Sequence, residues 1–244
     1  MNYKEIIFEK EKPLATITLN RPEKLNAYTV VMGQEIAKAL EEAQKDRNIK
    51  VVIVTGAGRG FCAGVDVAGG RGQTEADPLR RDTAMGPPVR TLRNFDKPVI
   101  AAINGVCVGG GLSLAMTCDI RIASDKARFS SIFIKRGALD NGFSFYLPRL
   151  VGIGKALELS LTGDIIDAAE ADKIGLVNHV VPHVELFTKV KELAGRIIEN
   201  PFFAVRMTKK AMYKGLVSTD FLAQMELERY YAAISSAAEA ASRK

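Results

Sequence analysis

Two glycine-rich stretches contain the residues best suited to chemistry in this chain. The first is Phe61-Cys62-Ala63-Gly64-Val65-Asp66, and the second runs from Asn104 to Gly111 as Asn-Gly-Val-Cys-Val-Gly-Gly-Gly. Successive glycines at a helix start let a ligand approach the main chain, whose first N–H groups have no intrahelical acceptor. The helix dipole adds positive potential there, so an amide near Val65 and one in the glycine run could together bind an oxyanion. Taken alone, each such glycine stretch is more often a tight turn or a packing device than a binding site.

Other catalytic and cofactor motifs are absent from the sequence. The chain has no Gly-x-x-x-x-Gly-Lys-Ser/Thr, His-Glu-x-x-His, Cys-x-x-Cys or Gly-x-Ser-x-Gly segment. Gly56-x-Gly58-x-Gly60 follows an apolar run, but its spacing differs from that of dinucleotide-binding loops and favours a turn. His179 and His183 are the only histidines and are expected at the surface, so we predict no metal site.

The spacing of apolar residues predicts an α/β fold. Short apolar runs bounded by turn signals are typical of buried strands, and runs with helical spacing separate them. The predicted strands cover residues 14–19, 51–54, 99–103 and about 120–123, and the predicted helices cover about 32–43 and 112–117. After about residue 153 the pattern becomes almost wholly helical. The polar, glycine-rich stretch from Gly69 to about Met85 predicts a loop.

Composition indicates the size and the setting of the protein. The 244 residues, 47% of them apolar, suffice for one sizeable core, which we place at residues 1–190, followed by a helical region at 191–244. The longest apolar runs are too short to span a bilayer, and the N-terminus has no secretory signal pattern. Cys62, Cys107 and Cys118 lie in apolar or glycine-rich segments, which favours buried thiols in a reducing cytoplasm.

The chain carries a formal net charge of +6. A generally charged surface explains this value, and so does a field that attracts an anionic ligand such as the phosphates of a nucleotide-bearing molecule. Nucleic acid is not an expected partner, because the basic residues are dispersed, no basic run is interleaved with aromatics, and Trp is absent.

Ordered segments along nearly the whole chain resemble the crotonase (enoyl-CoA hydratase/isomerase) superfamily. In order, they are Leu19-Asn20-Arg21-Pro22-Glu23-Lys24-Leu25-Asn26-Ala27, residues 61–66, residues 101–119, Leu161-Thr162-Gly163-Asp164, Ala168-x-x-Ala171-x-x-x-Gly175-Leu176-Val177 and the region of Pro201.

The resemblance implies a spiral of β-β-α units, with C-terminal helices that drive assembly into a homotrimer or a hexamer made of two trimers. It implies an acyl-CoA substrate whose thioester carbonyl accepts hydrogen bonds from the main-chain amides of Val65 and Gly110. No separate cofactor is implied, since CoA is part of the substrate. The residues implied to line the CoA path are Lys24, Ala27, Ala63, Gly64, Asp66 and Gly109.

The sequence departs from the family where hydratases carry two glutamates. The first would follow the glycine run by two positions, where this chain has Ser113, and the second falls on Phe133, four residues after Phe129. A serine without an activating partner is a poor base at neutral pH, and phenylalanine is none. Simple hydration of an enoyl-CoA is therefore disfavoured.

A later stretch offers one carboxylate instead. Some members of the superfamily place an acid/base Asp in a Gly-x-x-Pro-Asp-Gly segment, which here is one residue short, between Gly137 and Gly142. Counting back from Gly152 puts Asp140 in the Asp position, whereas counting forward from Gly137 puts Asn141 there. The first alignment preserves a base, but a plain turn is a further alternative.

The favoured function is an enoyl-CoA isomerase that shifts a double bond with Asp140 as its acid/base. An enoyl-CoA hydratase that activates water with another group is the alternative enzyme. A non-catalytic acyl-CoA-binding protein is the alternative of another class, because both hydratase glutamates are replaced.

Overall fold

The computed structural model describes residues 3–66, 86–138 and 142–242. Its strands are β1 (Ile6–Glu11), β2 (Leu14–Leu19), β3 (Val51–Gly56), β4 (Gly60–Cys62), β5 (Val99–Ile103), β6 (Val106–Val108), β7 (Ile120–Ser124), β8 (Arg128–Ser130), β9 (Ile166–Asp167) and β10 (His179–Val181). Its helices are α1 (Val30–Lys45), α2 (Gly86–Asn94), α3 (Gly110–Thr117), α4 (Phe143–Val151), α5 (Ile153–Thr162), α6 (Ala168–Lys173), α7 (Leu186–Ile198), α8 (Phe202–Gly215) and α9 (Phe221–Ser242).

The strands form two sheets that the chain visits alternately. The larger sheet has the order β1-β2-β3-β5-β7-β10, and the smaller has the order β4-β6-β8-β9. From β3 to β8, one strand joins the larger sheet, the next joins the smaller, and a helix follows. Within the larger sheet, β1 and β2 pair antiparallel and the other neighbours pair parallel. The result is a spiral of β-β-α units that places β4 beside β6.

Helices cover both faces of the larger sheet, which explains its apolar strands. Every residue of β3 and β5 is buried. On one face lies the main core, to which α1 contributes Met32, Ile36, Leu40 and Ala43 at helical spacing. On the other face α7 packs with Leu186, Val190 and Ala194, again at helical spacing. Parallel strands with helices on both faces are buried on both sides. Their sequences are therefore continuous apolar runs and lack the apolar–polar alternation of half-buried strands.

Most of the predicted elements are confirmed, with additions in the short strands. The predicted strands correspond to β2, β3, β5 and β7, and the predicted helices to α1 and α3. The almost wholly helical pattern predicted after residue 153 is confirmed, because among the described residues there only the short strands β9 and β10 interrupt the helices. Two or three residues are too few to show a strand period. The predicted loop from Gly69 to about Met85 lies outside the described residues. The proposed boundary at 190/191 lies inside α7.

Two C-terminal helices follow the last sheet-covering helix. α8 and α9 pack mainly on each other, and α8 is tied to the core by polar contacts. The Lys209 ammonium donates to Asp119 Oδ2 at 2.7 Å, and the Tyr213 hydroxyl donates to Asp119 Oδ1 at 2.8 Å. In the part of the chain that the structure describes, no helix combines the length and the apolar character needed to cross a membrane.

Candidate active site

The loop that follows β4 is held by the main chain of Tyr28. The Tyr28 N–H donates to the Gly64 carbonyl at 2.7 Å, and the Asp66 N–H donates to the Tyr28 carbonyl at 2.8 Å. Tyr28 and Val65 thereby form an isolated parallel bridge. In such a bridge one residue bonds to both neighbours of its partner, so the partner's own N–H points the other way. The Val65 amide is therefore directed away from Tyr28.

The second loop joins β6 to α3, and the first amides of this helix have no intrahelical acceptor. The Gly109 N–H donates to the Ser130 carbonyl at 2.9 Å, and Gly109 has a φ of 53°, a conformation that favours glycine. The earliest bond of this helix runs from the Ser113 N–H to the Gly109 carbonyl at 3.0 Å. The N–H groups of the first helical residues, beginning with Gly110, thus precede the intrahelical ladder and lie at the positive end of the helix dipole.

The two loops touch each other. A Cβ on Gly64, which has a φ of +92°, would lie 3.1 Å from the Val108 carbonyl oxygen and 3.6 Å from the Gly110 nitrogen. A Cβ on Gly111 would lie only 2.3 Å from the Cys62 carbonyl oxygen. Only glycine fits at such approaches, so the two stretches singled out in the sequence meet at the ends of neighbouring strands, with Val65 and Gly110 on adjoining segments.

The residues expected along the CoA path surround these loops. Lys24 is exposed at the end of a short 3₁₀ helix, and its carbonyl accepts the Ala27 N–H at 3.0 Å. The Ala63 N–H donates to the Leu25 carbonyl at 2.9 Å, which places Ala63 beside the same turn. Lys24 thus presents an exposed basic side chain on the turn that Ala63 adjoins.

Asp66 is engaged in an ion pair. Its Oδ2 accepts from Arg21 Nη2 at 2.8 Å, and Arg21 Nη1 donates to the Ala27 carbonyl at 2.7 Å. Both side chains of the pair are less than one-fifth exposed. The guanidinium therefore fastens the end of the Val65 loop to the 21–28 turn, and the Asp66 carboxylate has a structural partner.

Ser113 and Phe133, the two residues that the sequence resemblance aligns with hydratase glutamates, both lie near the start of α3. Ser113 is buried on α3, with its Oγ 3.5 Å from the Gly109 carbonyl oxygen. A Cβ on Gly109 would lie 3.6 Å from the Phe133 ring, and this ring packs edge-on against Phe143 at 5.4 Å between centroids. An apolar aromatic wall therefore stands beside the start of α3.

Asp140 and its alternative Asn141 lie outside the described residues. The chain segments that flank them are described. The Ala138 N–H donates to the Phe133 carbonyl at 3.1 Å, and a Cβ on Gly142 would lie 3.8 Å from the Val89 side chain and 3.9 Å from the Tyr146 ring.

The three cysteines are free and buried, as predicted. Cys62 lies directly below the Val65 loop, with its Sγ 3.9 Å from the Gly64 carbonyl oxygen. Burial raises the pKa of Cys62 to about 12, so the thiol stays protonated at neutral pH and is no nucleophile. Among the described residues, no group of three or more His, Cys, Asp or Glu side chains is arranged to hold a metal ion.

Two features of this site escaped the sequence reasoning. The bridge between Tyr28 and Val65 joins residues far apart in sequence, and Tyr28 contributes only main-chain atoms, which no side-chain pattern reveals. The strand character of β4 and β6 was also missed, since each has three residues and abuts glycines.

Comparisons with known proteins show the family to which the chain belongs. A family model described as enoyl-CoA hydratase/isomerase matches residues 9–241. The crotonyl-CoA hydratase of Syntrophomonas wolfei is 42% identical over 231 residues, which cover 93% of this chain and 88% of that protein.

Solved structures extend the likeness to the fold. An enoyl-CoA hydratase subunit I structure from Geobacillus kaustophilus HTA426 superposes with a TM-score of 0.90 at 33% identity, covering 97% of this chain and 91% of that one. A monofunctional enoyl-CoA isomerase from M. smegmatis gives a TM-score of 0.78 at 33% identity, covering 91% of this chain and 98% of that one. The chain therefore has the crotonase fold and belongs to the acyl-CoA-processing enoyl-CoA hydratase/isomerase family.

Proposed function

We propose that this protein is an enoyl-CoA isomerase that moves a double bond along the acyl chain of a CoA thioester. The observation that carries the proposal is the pair Ser113 and Phe133, a hydroxyl and an aromatic ring at the two positions where hydratases of the family carry glutamates. Without those carboxylates, activating a water molecule and delivering a proton to the α carbon both lack their usual groups.

The amides of Val65 and Gly110 stabilise the charge that the reaction develops. Removing a proton from the carbon next to a thioester carbonyl places negative charge on the carbonyl oxygen. Two N–H donors that are already oriented bind this oxygen without reorganising, and each is worth roughly 3 kcal/mol in the transition state. A Cβ added at Gly64 would lie 3.6 Å from the Gly110 nitrogen, and this proximity of the two loops supports a shared site for the donors.

Asp140 carries the proton. Its carboxylate takes a proton from the α carbon of a β,γ-unsaturated acyl-CoA, the enolate is held at the two amides, and the same carboxyl returns the proton to the γ carbon. One carboxyl suffices because the proton leaves and returns on the same substrate. The aromatic wall of Phe133 and Phe143 excludes water, which favours proton return over hydration.

The CoA portion lies along the turn at residues 24–27 and the two loops. The ligand-lining set is Lys24, Ala27, Ala63, Gly64, Asp66 and Gly109. The exposed ammonium of Lys24 provides a positive charge for a phosphate, and Asp66 acts through its Arg21 pair by holding the loop.

Replacing Asp140 with Asn tests the assignment, with Asn141→Ala as the matched control. Turnover of a β,γ-enoyl-CoA should fall by about 10²–10⁴-fold in the first variant, because general acid–base catalysis contributes that much. Binding of a saturated acyl-CoA should be unchanged. If Asn141→Ala abolishes turnover while Asp140→Asn retains it, Asp140 is not the base.

Hydration is the second candidate, favoured by the 42% identity to a crotonyl-CoA hydratase. Crotonyl-CoA separates the two reactions, because hydration removes its conjugated absorbance whereas an isomerase leaves it intact. Rapid loss of that absorbance would identify a hydratase whose water-activating group is not a family glutamate.

Self-association into a trimer, or a hexamer of two trimers, is the proposed assembly. Two separate apolar surfaces support it. The α5 stripe consists of Ile153, Leu157, Leu161 and the following Ile165, each about half exposed or more. The second surface includes Met212, Phe221 and Leu222 on α8 and α9, each at least 70% exposed. A contact between unlike surfaces of identical chains repeats head to tail and closes into a ring.

A further inference from the structure

Two buried asparagines converge on one carbonyl at the start of β4. Asn26 is fully buried and Asn104 nearly so. Asn26 Nδ2 donates to the Gly60 oxygen at 2.7 Å, and Asn104 Nδ2 lies 3.3 Å from the same oxygen. Gly60 is the first residue of β4, the strand that leads into the loop of Val65.

Asn26 connects three chain segments. Besides Gly60, its Nδ2 donates to the Ala57 carbonyl at 2.9 Å, and its Oδ1 accepts the Arg21 N–H at 2.8 Å. Its φ of 56° is left-handed, a conformation that Asn tolerates better than most residues. The side-chain amide of Asn26 therefore holds the turn at residues 56–60 against the segment of residues 21–28.

Asn104 fastens the start of the other strand to the same turn. It lies between β5 and β6, and its Nδ2 also lies 2.9 Å from the carbonyl oxygens of Gly56 and Gly58. An amide group has two hydrogens, so at least one of them is shared among the three carbonyls. Within the described part of the chain its Oδ1 accepts no hydrogen bond, so its contribution here is as a donor.

The ladder between β4 and β6 needs such fastening because its register is irregular. Gly60 pairs with Val106 and Cys62 with Cys107, which leaves Phe61 as an extra residue on β4. An extra residue of this kind bends its strand and re-aims the chain that follows. The position of Val65 relative to Gly110 therefore depends on where β4 starts relative to β6.

We propose that Asn26 and Asn104 are positioning residues that set the separation of the Val65 and Gly110 amides through their shared hold on Gly60. The inference rests on the proposed role of those amides in binding the thioester oxygen. Displacement of a catalytic donor by about 1 Å can lower a rate by roughly 10²-fold. A change in either asparagine should therefore alter the reaction without removing any atom that touches substrate.

The test combines kinetics with the infrared spectrum of a bound thioester. Hydrogen bonds to a carbonyl oxygen weaken its C=O bond and lower its stretching frequency, so the band of carbonyl-labelled butyryl-CoA reports directly on the two amides. Asn104→Ala removes the hydrogen bonds of one asparagine to the carbonyl of Gly60. Asn26→Gly removes those of the other, and glycine tolerates the left-handed backbone at this position. Leu186→Ala is the control, since it opens a cavity on the opposite face of the larger sheet.

Both asparagine variants should lose about 10²-fold in kcat with little change in KM, and their bound carbonyl band should move back toward that of free butyryl-CoA. Leu186→Ala should lower stability and leave the band unchanged. If a variant fails to fold, Asn26→Ser or Asn104→Gln, which keeps a hydrogen-bond donor at the position, takes its place in both measurements.

The possible results distinguish failure of the positioning role of the two asparagines from failure of the proposed function. Suppose that binding shifts the carbonyl band of the wild type, and that the asparagine variants keep both this shift and the wild-type kcat. This result would overturn the positioning role of the asparagines and leave the proposed function standing. If the wild-type band is identical to that of free butyryl-CoA, the proposed role of the amides is overturned. The positioning role of the asparagines is then overturned as well.

Discussion

The main chain of Gly64 lies beside the Gly110 nitrogen where the two loops meet. A Cβ on Gly64 would lie 3.6 Å from the Gly110 nitrogen, and the Gly64 backbone has a φ of +92°. The closeness of these residues requires the absence of a side chain and a conformation that other residues rarely adopt. Because Val65 follows Gly64 directly, a shift of Gly64 would move the Val65 amide relative to the Gly110 amide.

Gly64→Ala should therefore lower both turnover and stability. The added methyl group meets the Val108 oxygen at 3.1 Å, and the positive φ costs about 1–3 kcal/mol. Displacement of the loop should reduce kcat by about 10²-fold. Steady-state kinetics and urea unfolding measure the two effects.

The control for this variant is Gly154→Ala. A Cβ at Gly154 has no neighbour within 4 Å, and the residue lies in α5, where alanine is favoured. Activity should be unchanged there. Equal activity losses in the two variants would contradict a special role for the contact between Gly64 and Gly110.

Asp119→Asn should loosen α8 from the core. The carboxylate accepts from Lys209, from Tyr213 and from the Val99 N–H at 2.7 Å, and it is mostly buried. Removing its charge should reduce the free energy of unfolding by about 2–4 kcal/mol, measured by urea denaturation. Tyr213→Phe deletes a single hydrogen bond and should cost about 1 kcal/mol.

An exposed ion pair provides the comparison for Asp119. Lys189 and Glu192 are 3.4 Å apart on α7, and both side chains are over two-fifths exposed. Lys189→Met should leave the unfolding midpoint almost unchanged. A loss as large as that of Asp119→Asn would mean that burial does not decide the strength of these pairs.

Stability should decline at alkaline pH through the buried thiols. Burial raises the pKa of Cys62 and of Cys118 from 9.0 to about 12. Between pH 9 and 12 the unfolded thiols lose protons that the folded thiols keep, so the contribution is complete below pH 9 and disappears as pH rises through 12.

Urea midpoints measured across this pH range test the thiol effect. Tyrosines and lysines also titrate there, so the comparison is between the wild type and Cys62→Ala/Cys118→Ala. The wild type should lose more stability than the double variant, because the variant lacks two of the titrating groups. Parallel pH curves would show that these thiols contribute nothing to alkaline unfolding.

Charge on the α5 stripe should weaken the proposed assembly. Leu157 and Leu161 lie one helical turn apart and are 49% and 66% exposed. Leu157→Glu/Leu161→Glu would bury two carboxylates in an apolar contact, which is costly without partners. Light scattering should report smaller particles than for the wild type at the same concentration.

Val184→Glu is the matched control for this surface. Val184 is 87% exposed and lies in a 3₁₀ turn away from the stripe. Its variant should keep the wild-type mass. A wild type that is already monomeric would exclude the assembly.

Local sequence determined the elements of this protein and the residue types of its site. The run from Val51 to Val54 is wholly apolar, short and rich in β-branched residues, which favours a buried strand. The helical spacing of Met32, Ile36 and Leu40 specifies the buried face of α1. The glycines of both loops were recognisable in the sequence because clustered glycines indicate places where main chains approach closely or where φ is positive.

The tertiary structure decided which of these parts meet. Tyr28 pairs with Val65, and Asn26 and Asn104 reach Gly60, across separations of 34 and 44 residues for the two asparagines. Such contacts depend on how the spiral brings strands of the smaller sheet side by side, and a backbone carbonyl as acceptor leaves no mark in the sequence of side chains. Short strands such as β9 and β10 likewise owe their pairing to neighbours supplied by the fold, because two or three residues have too little intrinsic preference to specify a strand.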